Sequence, residues 1–107
     1  MKIHPAINDE QVDEIMEIAR SKGLDIIDYD KFYNVYKIGC KFGNLYKKKE
    51  PRAAGKIMLI GLQKNVWIYI QSMSSWFKTS PIITCKKDKD SIIIETMNSL
   101  YQLEEQK

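Results

Sequence analysis

The chain has 107 residues, of which 44% are apolar and 29% charged, and its formal net charge is +3. This length suits one domain with one modest core, and the composition excludes a collagen, a disulfide-stapled miniprotein and a fully disordered chain. The charge is unevenly spread, because residues 1–30 carry a net charge of −5 and residues 37–64 a net charge of +7. This segregation indicates either two functional faces or two solvated elements that differ in sign.

The first predicted element is an amphipathic helix over residues 9–22. Asn8 is a suitable N-cap because its side-chain oxygen can accept a free first-turn N–H, and Gln11 completes a capping box. Apolar residues then recur at helical spacing and predict one buried stripe, which consists of Val12, Ile15, Met16 and Ala19. Gly23 supplies the C-terminal stop.

The middle of the chain favours strands. Residues 25–29 and 32–38 are rich in β-forming side chains, and the polar residues 47–55 are predicted to form a loop. Residues 56–62 and 66–71 are apolar and are separated by a short polar turn, which predicts a β-hairpin at the centre of the sheet.

Both strands of this hairpin are apolar on both alternations, so we expect them to be covered on both faces, with Trp67 in the core. Residues 72–80 are predicted to form a short helical turn that carries Trp76 and Phe77, and an extended segment follows Pro81.

The last element is ambiguous. Residues 91–94 favour a strand by propensity, but a helical period runs on through Met97, Leu100 and Tyr101, so a helix over residues 91–105 is preferred. The predicted fold class is therefore α+β: one domain over residues 1–107, with N-terminal and C-terminal helices packed on a mainly antiparallel sheet. Residues 1–7 and 106–107 are expected to be loose ends.

The two cysteines, Cys40 and Cys85, cannot complete a zinc site with the single histidine, His4. The N-terminus does not resemble a signal peptide, and no apolar run is long enough to span a membrane. We therefore expect a cytoplasmic protein with reduced thiols, without a metal site or cofactor and without membrane attachment. Its oligomeric state is left open.

The strongest functional signal is a lysine-rich segment with tyrosines and Phe42 interleaved nearby. Lys and Arg neutralise phosphates, and aromatic rings stack on unpaired bases, so the segment is typical of nucleic-acid contact. The predicted contact residues, for nucleic acid or for an acidic partner surface, are Lys41, Tyr46, Lys47, Lys48, Lys49, Arg52, Lys56, Lys64 and Trp76. The leading hypothesis is a non-enzymatic binding or regulatory module without catalytic residues.

Two alternatives remain open. The outward face of the first helix presents Asp13, Glu14 and Glu17, which would suit an inhibitor or adaptor that docks on a basic protein surface. The third class is a metal-dependent nuclease, in which clustered carboxylates would bind Mg²⁺ beside a lysine, here Asp25, Asp28, Asp30 and Lys31.

Overall fold

The computed structural model describes residues 1–40, 43, 45–72 and 75–107. Within these residues the chain forms one α-helix, one 3₁₀ turn (Leu24–Ile26) and eight strands. The elements are α1 (Asp9–Ser21), β1 (Phe32–Cys40), β2 (Leu45–Lys56), β3 (Met58–Leu62), β4 (Asn65–Gln71), β5 (Trp76–Lys78), β6 (Ile82–Asp88), β7 (Ser91–Thr96) and β8 (Ser99–Glu105).

The predicted N-terminal helix is confirmed. The Asn8 side chain accepts a hydrogen bond from the N–H of Glu10 at 3.2 Å, as expected for an N-cap. Of the predicted buried stripe, Ile15 and Ala19 are buried, whereas Val12 and Met16 are only half-buried. The helix ends before Gly23, whose φ of 85° is in the left-handed region. The next residues form the 3₁₀ turn, so the strand predicted over residues 25–29 is wrong.

Five strands form one antiparallel sheet in the order β2-β1-β8-β7-β6. The helix predicted over residues 91–105 is wrong, because this segment forms the β7–β8 hairpin. Ile92, Ile94 and Thr96 are buried in alternation, which is the period of a strand. Successive β-branched side chains have restricted χ1 in a helix, and here that local preference overrides the weak helical spacing.

Strand β2 replaces the loop predicted over residues 47–55. It pairs with β1 along one side and is an edge strand of the described sheet, where a lysine-rich sequence and Pro51 are both tolerated. Likewise, β5 replaces the predicted helical turn over residues 72–80, since Trp76 and Phe77 pair with β4.

The predicted hairpin is confirmed as β3–β4, but its predicted place at the centre of a single sheet is wrong. It belongs to a second, three-stranded sheet with the order β3-β4-β5. The inner face of this sheet is fully buried and consists of Leu59, Val66, Ile68 and Ile70. Trp67 lies on the opposite face and is half-buried, so the prediction that it belongs to the core is also wrong.

The inner faces of both sheets share one apolar core with α1 and the 3₁₀ turn. The N-terminal segment lies along the free edge of β3: the N–H of His4 donates to Leu59 at 2.8 Å, and the N–H of Leu59 donates to Lys2 at 2.8 Å. Within the described residues, no helix has both the length and the apolar character needed to cross a lipid bilayer. The fold is thus α+β with mostly antiparallel sheets and one helix.

Candidate functional site: an aromatic sheet face and an adjoining cavity

The outer face of the three-stranded sheet carries three large rings. Side chains alternate along a strand, so Trp67 and Tyr69 of β4 point away from the buried Ile68 and Ile70. Trp76 of β5 pairs with Gln71 and lies diagonally beside Tyr69. We call Trp67, Tyr69 and Trp76 the aromatic face.

Neighbouring groups fix the positions of these rings. Trp76 is 64% exposed and stacks on Tyr69 with ring centroids 6.3 Å apart and an interplanar angle of 17°. His4 contacts Tyr69 edge-on, at 4.9 Å between centroids, and the Tyr69 hydroxyl donates to the Gln71 side chain. The Nζ of Lys78 lies 5.3 Å from the centroid of Trp67, a cation–π distance. The face therefore combines ordered rings with a positive charge.

A cavity of about 590 Å³ adjoins the aromatic face; we call it the edge cavity. Met58 and Gln71 line it, and these residues pair with Tyr69 and Trp76 respectively. The rest of its wall includes two lysines, one aromatic ring, one carboxylate and one amide, which are Lys2, Lys56, Phe32, Asp30 and Gln106.

Phe32 is the exposed ring of the edge cavity, at 52% exposure. The Nζ of Lys56 lies 5.4 Å from its centroid, because Phe32 and Lys56 are paired across β1 and β2. Among the described residues, no ion pair involves Lys2, Asp30 or Lys56. Both ammonium groups and the carboxylate are therefore available to a ligand.

A bulge in β2 brings Arg52 towards Trp76. Tyr36 pairs with Pro51 and Val35 with Ala53, which leaves Arg52 as the extra residue. Bulges commonly redirect a side chain. Arg52 and Trp76 line the same small cavity of about 110 Å³, and Arg52 also forms an ion pair with Glu50 at 3.7 Å.

The other predicted contact residues fall into separate groups. Lys47, Lys48 and Lys49 lie on the far half of β2; Lys47 is nine positions from Lys56, or about 30 Å along a strand. Lys64 lies in the β3–β4 turn. This turn is at the opposite end of β4 from Ile70, which lies beside Gly55 of β2. Lys41, together with the neighbouring Phe42, lies outside the described residues.

The lysines of β2 differ in their contacts. Lys49 forms an ion pair with Glu104 at 2.6 Å, and its Nζ lies 4.2 Å from the centroid of Tyr36. Lys47 and Lys48 are exposed and take part in no ion pair among the described residues. The two unpaired lysines are thus the ones available to an anionic partner.

Tyr46 points to a thiol rather than to the aromatic face. Its hydroxyl lies 3.2 Å from the Sγ of Cys40, and this hydrogen bond raises the pKa of Tyr46. The other thiol, Cys85, is buried, and desolvation raises its pKa to about 12. Both cysteines are free.

The acidic residues form no metal centre in the described part of the chain, where no three His, Cys, Asp or Glu side chains are grouped to hold an ion. Asp28 instead faces Lys31 at 3.9 Å, and Lys31 also pairs with Glu105 at 3.3 Å. The alternative partner residues Asp13, Glu14 and Glu17 are all exposed on α1.

Sequence reasoning missed most of the aromatic face and of the edge cavity. Trp76 was identified, but Tyr69, Phe32, Lys2 and Lys78 were not. The available signal was the alternation of Trp67 and Tyr69 with isoleucines, which separates rings from aliphatic side chains on β4. Their alignment with Trp76 depends on strand pairing between segments and was not visible in the sequence.

No protein-family model, curated protein or solved structure matches this chain. The functional argument therefore depends on the geometry of the site.

Proposed function

We propose that this protein is a non-enzymatic module that binds single-stranded nucleic acid on the aromatic face. The observation that carries the proposal is a sheet face on which Trp67, Tyr69 and the 64% exposed Trp76 lie next to one another. Unpaired bases stack on such rings, and each base–ring contact is worth about 1–3 kcal/mol by alanine substitution. Because every base has a π-face, this contact is largely independent of sequence.

The basic groups around the rings supply the second requirement, which is to neutralise phosphates. Lys78 lies over Trp67, Arg52 lies beside Trp76, and Lys2 and Lys56 line the adjoining edge cavity. Each phosphate contact releases counterions, so binding is expected to weaken steeply as the salt concentration rises.

The predicted contacts of Lys47 and Lys48 have a different place in this proposal. They lie on an edge strand, where charged side chains, lysine above all, prevent pairing with strands of other molecules. If they also contact phosphates, replacing both with glutamine will lower the slope of log affinity against log salt by about 0.7 per lost contact on a single strand. An unchanged slope assigns them to edge protection alone.

The decisive experiment measures binding of fluorescent ten-nucleotide strands by anisotropy at about 50 mM salt, in the regime where phosphate contacts are strong. Trp76→Ala and Tyr69→Leu should each weaken binding about tenfold, the loss expected of one stacked base. Trp76 is mostly exposed, so its variant is expected to stay folded.

Tyr36→Leu is the matched control for Tyr69→Leu. Tyr36 is also a half-buried strand tyrosine, but it lies on the outer face of the other sheet and pairs with Gln102. Its variant should bind as the unmodified protein does. Equal losses at positions 36 and 69, or an absence of binding by the unmodified protein, would contradict the proposal.

A second candidate function is an interaction with a basic protein surface through α1. The observation that favours it is that Asp13, Glu14 and Glu17 are exposed and take part in no ion pair among the described residues. A partner captured by the unmodified protein and lost when all three are replaced by lysine would support this function. A partner that persists would exclude α1 as its docking site.

A further inference from the structure

The edge cavity differs from the aromatic face in being concave and in offering hydrogen-bonding groups. Its volume of about 590 Å³ is within the usual range for small-molecule sites. A π-surface from Phe32, two cations from Lys2 and Lys56, and a carboxylate from Asp30 all line it. This combination corresponds to the parts of a nucleotide, which has a planar base and a neighbouring phosphate.

Two side chains that line this cavity, Asp30 and Gln106, offer acceptor oxygens beside its two cations. The carboxylate of Asp30 only accepts hydrogen bonds when it is ionised. The amide of Gln106 uses its Nε2 to donate to Asn34 at 2.9 Å, which leaves its Oε1 towards other partners. Gln71 is already engaged, since its Nε2 donates to Ser72 at 3.2 Å and its Oε1 accepts from Tyr69.

We infer that the edge cavity takes one nucleotide of the bound strand and selects a base with an exocyclic amine, such as cytosine, over uracil. This inference rests on the proposed function and adds base selectivity to it. The base stacks on Phe32, its amine donates to Asp30, and the adjacent phosphate binds Lys56 and Lys2. Uracil presents a carbonyl in place of the amine of cytosine, so it would bring an acceptor against an acceptor.

The geometry explains how one strand reaches both sites. Phe32 and Lys56 are register partners across β1 and β2, so the ring and the cation lie side by side. Gln71 lines the cavity and pairs with Trp76, so a strand that leaves the cavity meets the aromatic face directly. The cavity is thus placed to hold a nucleotide next to those that stack on the rings.

The test compares ten-nucleotide strands of deoxycytidine and deoxyuridine, whose bases differ at C4, as amine or carbonyl, and at N3, as acceptor or N–H donor. The unmodified protein should prefer the cytosine strand by about tenfold, a typical value for one good base contact. Asp30→Asn should abolish or reverse the preference, because an amide also donates. Asp13→Asn is the charge-matched control, since Asp13 is exposed on α1, and it should keep the preference.

Each outcome decides the inference separately from the proposed function. If the protein binds both strands equally, or if Asp30→Asn retains the preference, the inference is wrong while the proposed function stands. If neither strand binds, the proposed function fails, and titration with cytidine and uridine monophosphates, followed by NMR, tests the cavity alone. Selective binding of the cytidine nucleotide that Asp30→Asn removes would then support the inference, and no binding would overturn it.

Discussion

The contact between α1 and β3 offers a sharp test of the packing, because it depends on a glycine. A Cβ built on Gly61 would lie 2.6 Å from the Cγ1 of Ile15, 2.9 Å from its Cδ1 and 3.2 Å from its Cγ2. Ile15 is 3% exposed and cannot turn into solvent. Gly61→Ala therefore forces the Ile15 side chain, or the helix that carries it, to shift.

The expected cost follows from two opposing effects. Overpacking a core costs about 1–3 kcal/mol, and replacing glycine recovers about 0.4–1 kcal/mol by restricting the unfolded chain. Gly61→Ala should thus lower the free energy of unfolding by about 1–2 kcal/mol. Ile15→Ala alone should cost about 2–5 kcal/mol, because it removes a buried side chain and leaves a cavity.

The two changes should compensate for each other. In the double variant the new methyl group at position 61 enters the space that Ile15 has left, so the combined loss should be smaller than the sum by about 1 kcal/mol or more. Urea unfolding followed by circular dichroism measures all four free energies. The control cycle combines Gly61→Ala with Ile18→Ala, because no atom of Ile18 is among those nearest to a Cβ at position 61.

Additive losses for Gly61 and Ile15, within the ~0.5 kcal/mol that independent sites show, would refute the packing described for α1. Equal coupling in the Ile18 cycle would also count against it, since the effect would then belong to the whole helix rather than to this contact.

Three further predictions concern the cap, the C-terminal hairpin and the buried thiol. Asn8→Ala should lower the free energy of unfolding by about 1 kcal/mol, because the N–H of Glu10 loses its acceptor; urea unfolding measures this, and no change would contradict the cap. Ile94→Ala should cost about 2–5 kcal/mol and Ile93→Ala clearly less, because Ile94 is fully buried while Ile93 is half-buried on the other face; equal losses would argue against a strand. The pKa of Cys85 is raised by burial to about 12, so its thiol ionises more readily in the unfolded chain and stability should fall by up to ~1.4 kcal/mol per pH unit between pH 9 and 12. Cys85→Val should show a shallower decline over that range, and an identical decline would assign it to other groups.

The sequence predicted the elements whose determinants lie close together in the chain. The α1 helix needs only its Asn8 cap and one turn-to-turn apolar stripe, and the β3–β4 hairpin needs two apolar segments and a short turn. The lysine-rich β2 strand was missed because its pairing with β1, rather than its own composition, holds it extended. Residues 91–105 were assigned to a helix because the spacing of a few apolar residues was given more weight than three consecutive β-branched side chains.

The site residues show the same contrast between features set by nearby residues and features set by strand pairing. Trp76 was identified as a contact residue because it lies in a polar segment, whereas the importance of Tyr69 emerges only when β5 pairs with β4. The prediction that Trp67 is core assumed a strand covered on both faces, but among the described residues the face of the three-stranded sheet that carries Trp67 is only partly buried. An antiparallel sheet can fold with only one face buried. Apolar residues on its other face therefore do not show that this second face is also covered.

Under the proposed function, the two faces of the three-stranded sheet divide stability from binding. The inner face consists of aliphatic side chains that are at most 1% exposed, and burial of this kind supplies most of the stabilisation that an apolar residue can give. The rings of the outer face gain much less from folding, because they remain half-buried or exposed. If the outer face only had to be compatible with water, polar residues would serve there equally well, as they do in ordinary one-sided antiparallel sheets. Three adjacent rings next to a cavity with free cations are instead the arrangement expected of a surface that is selected for what it binds.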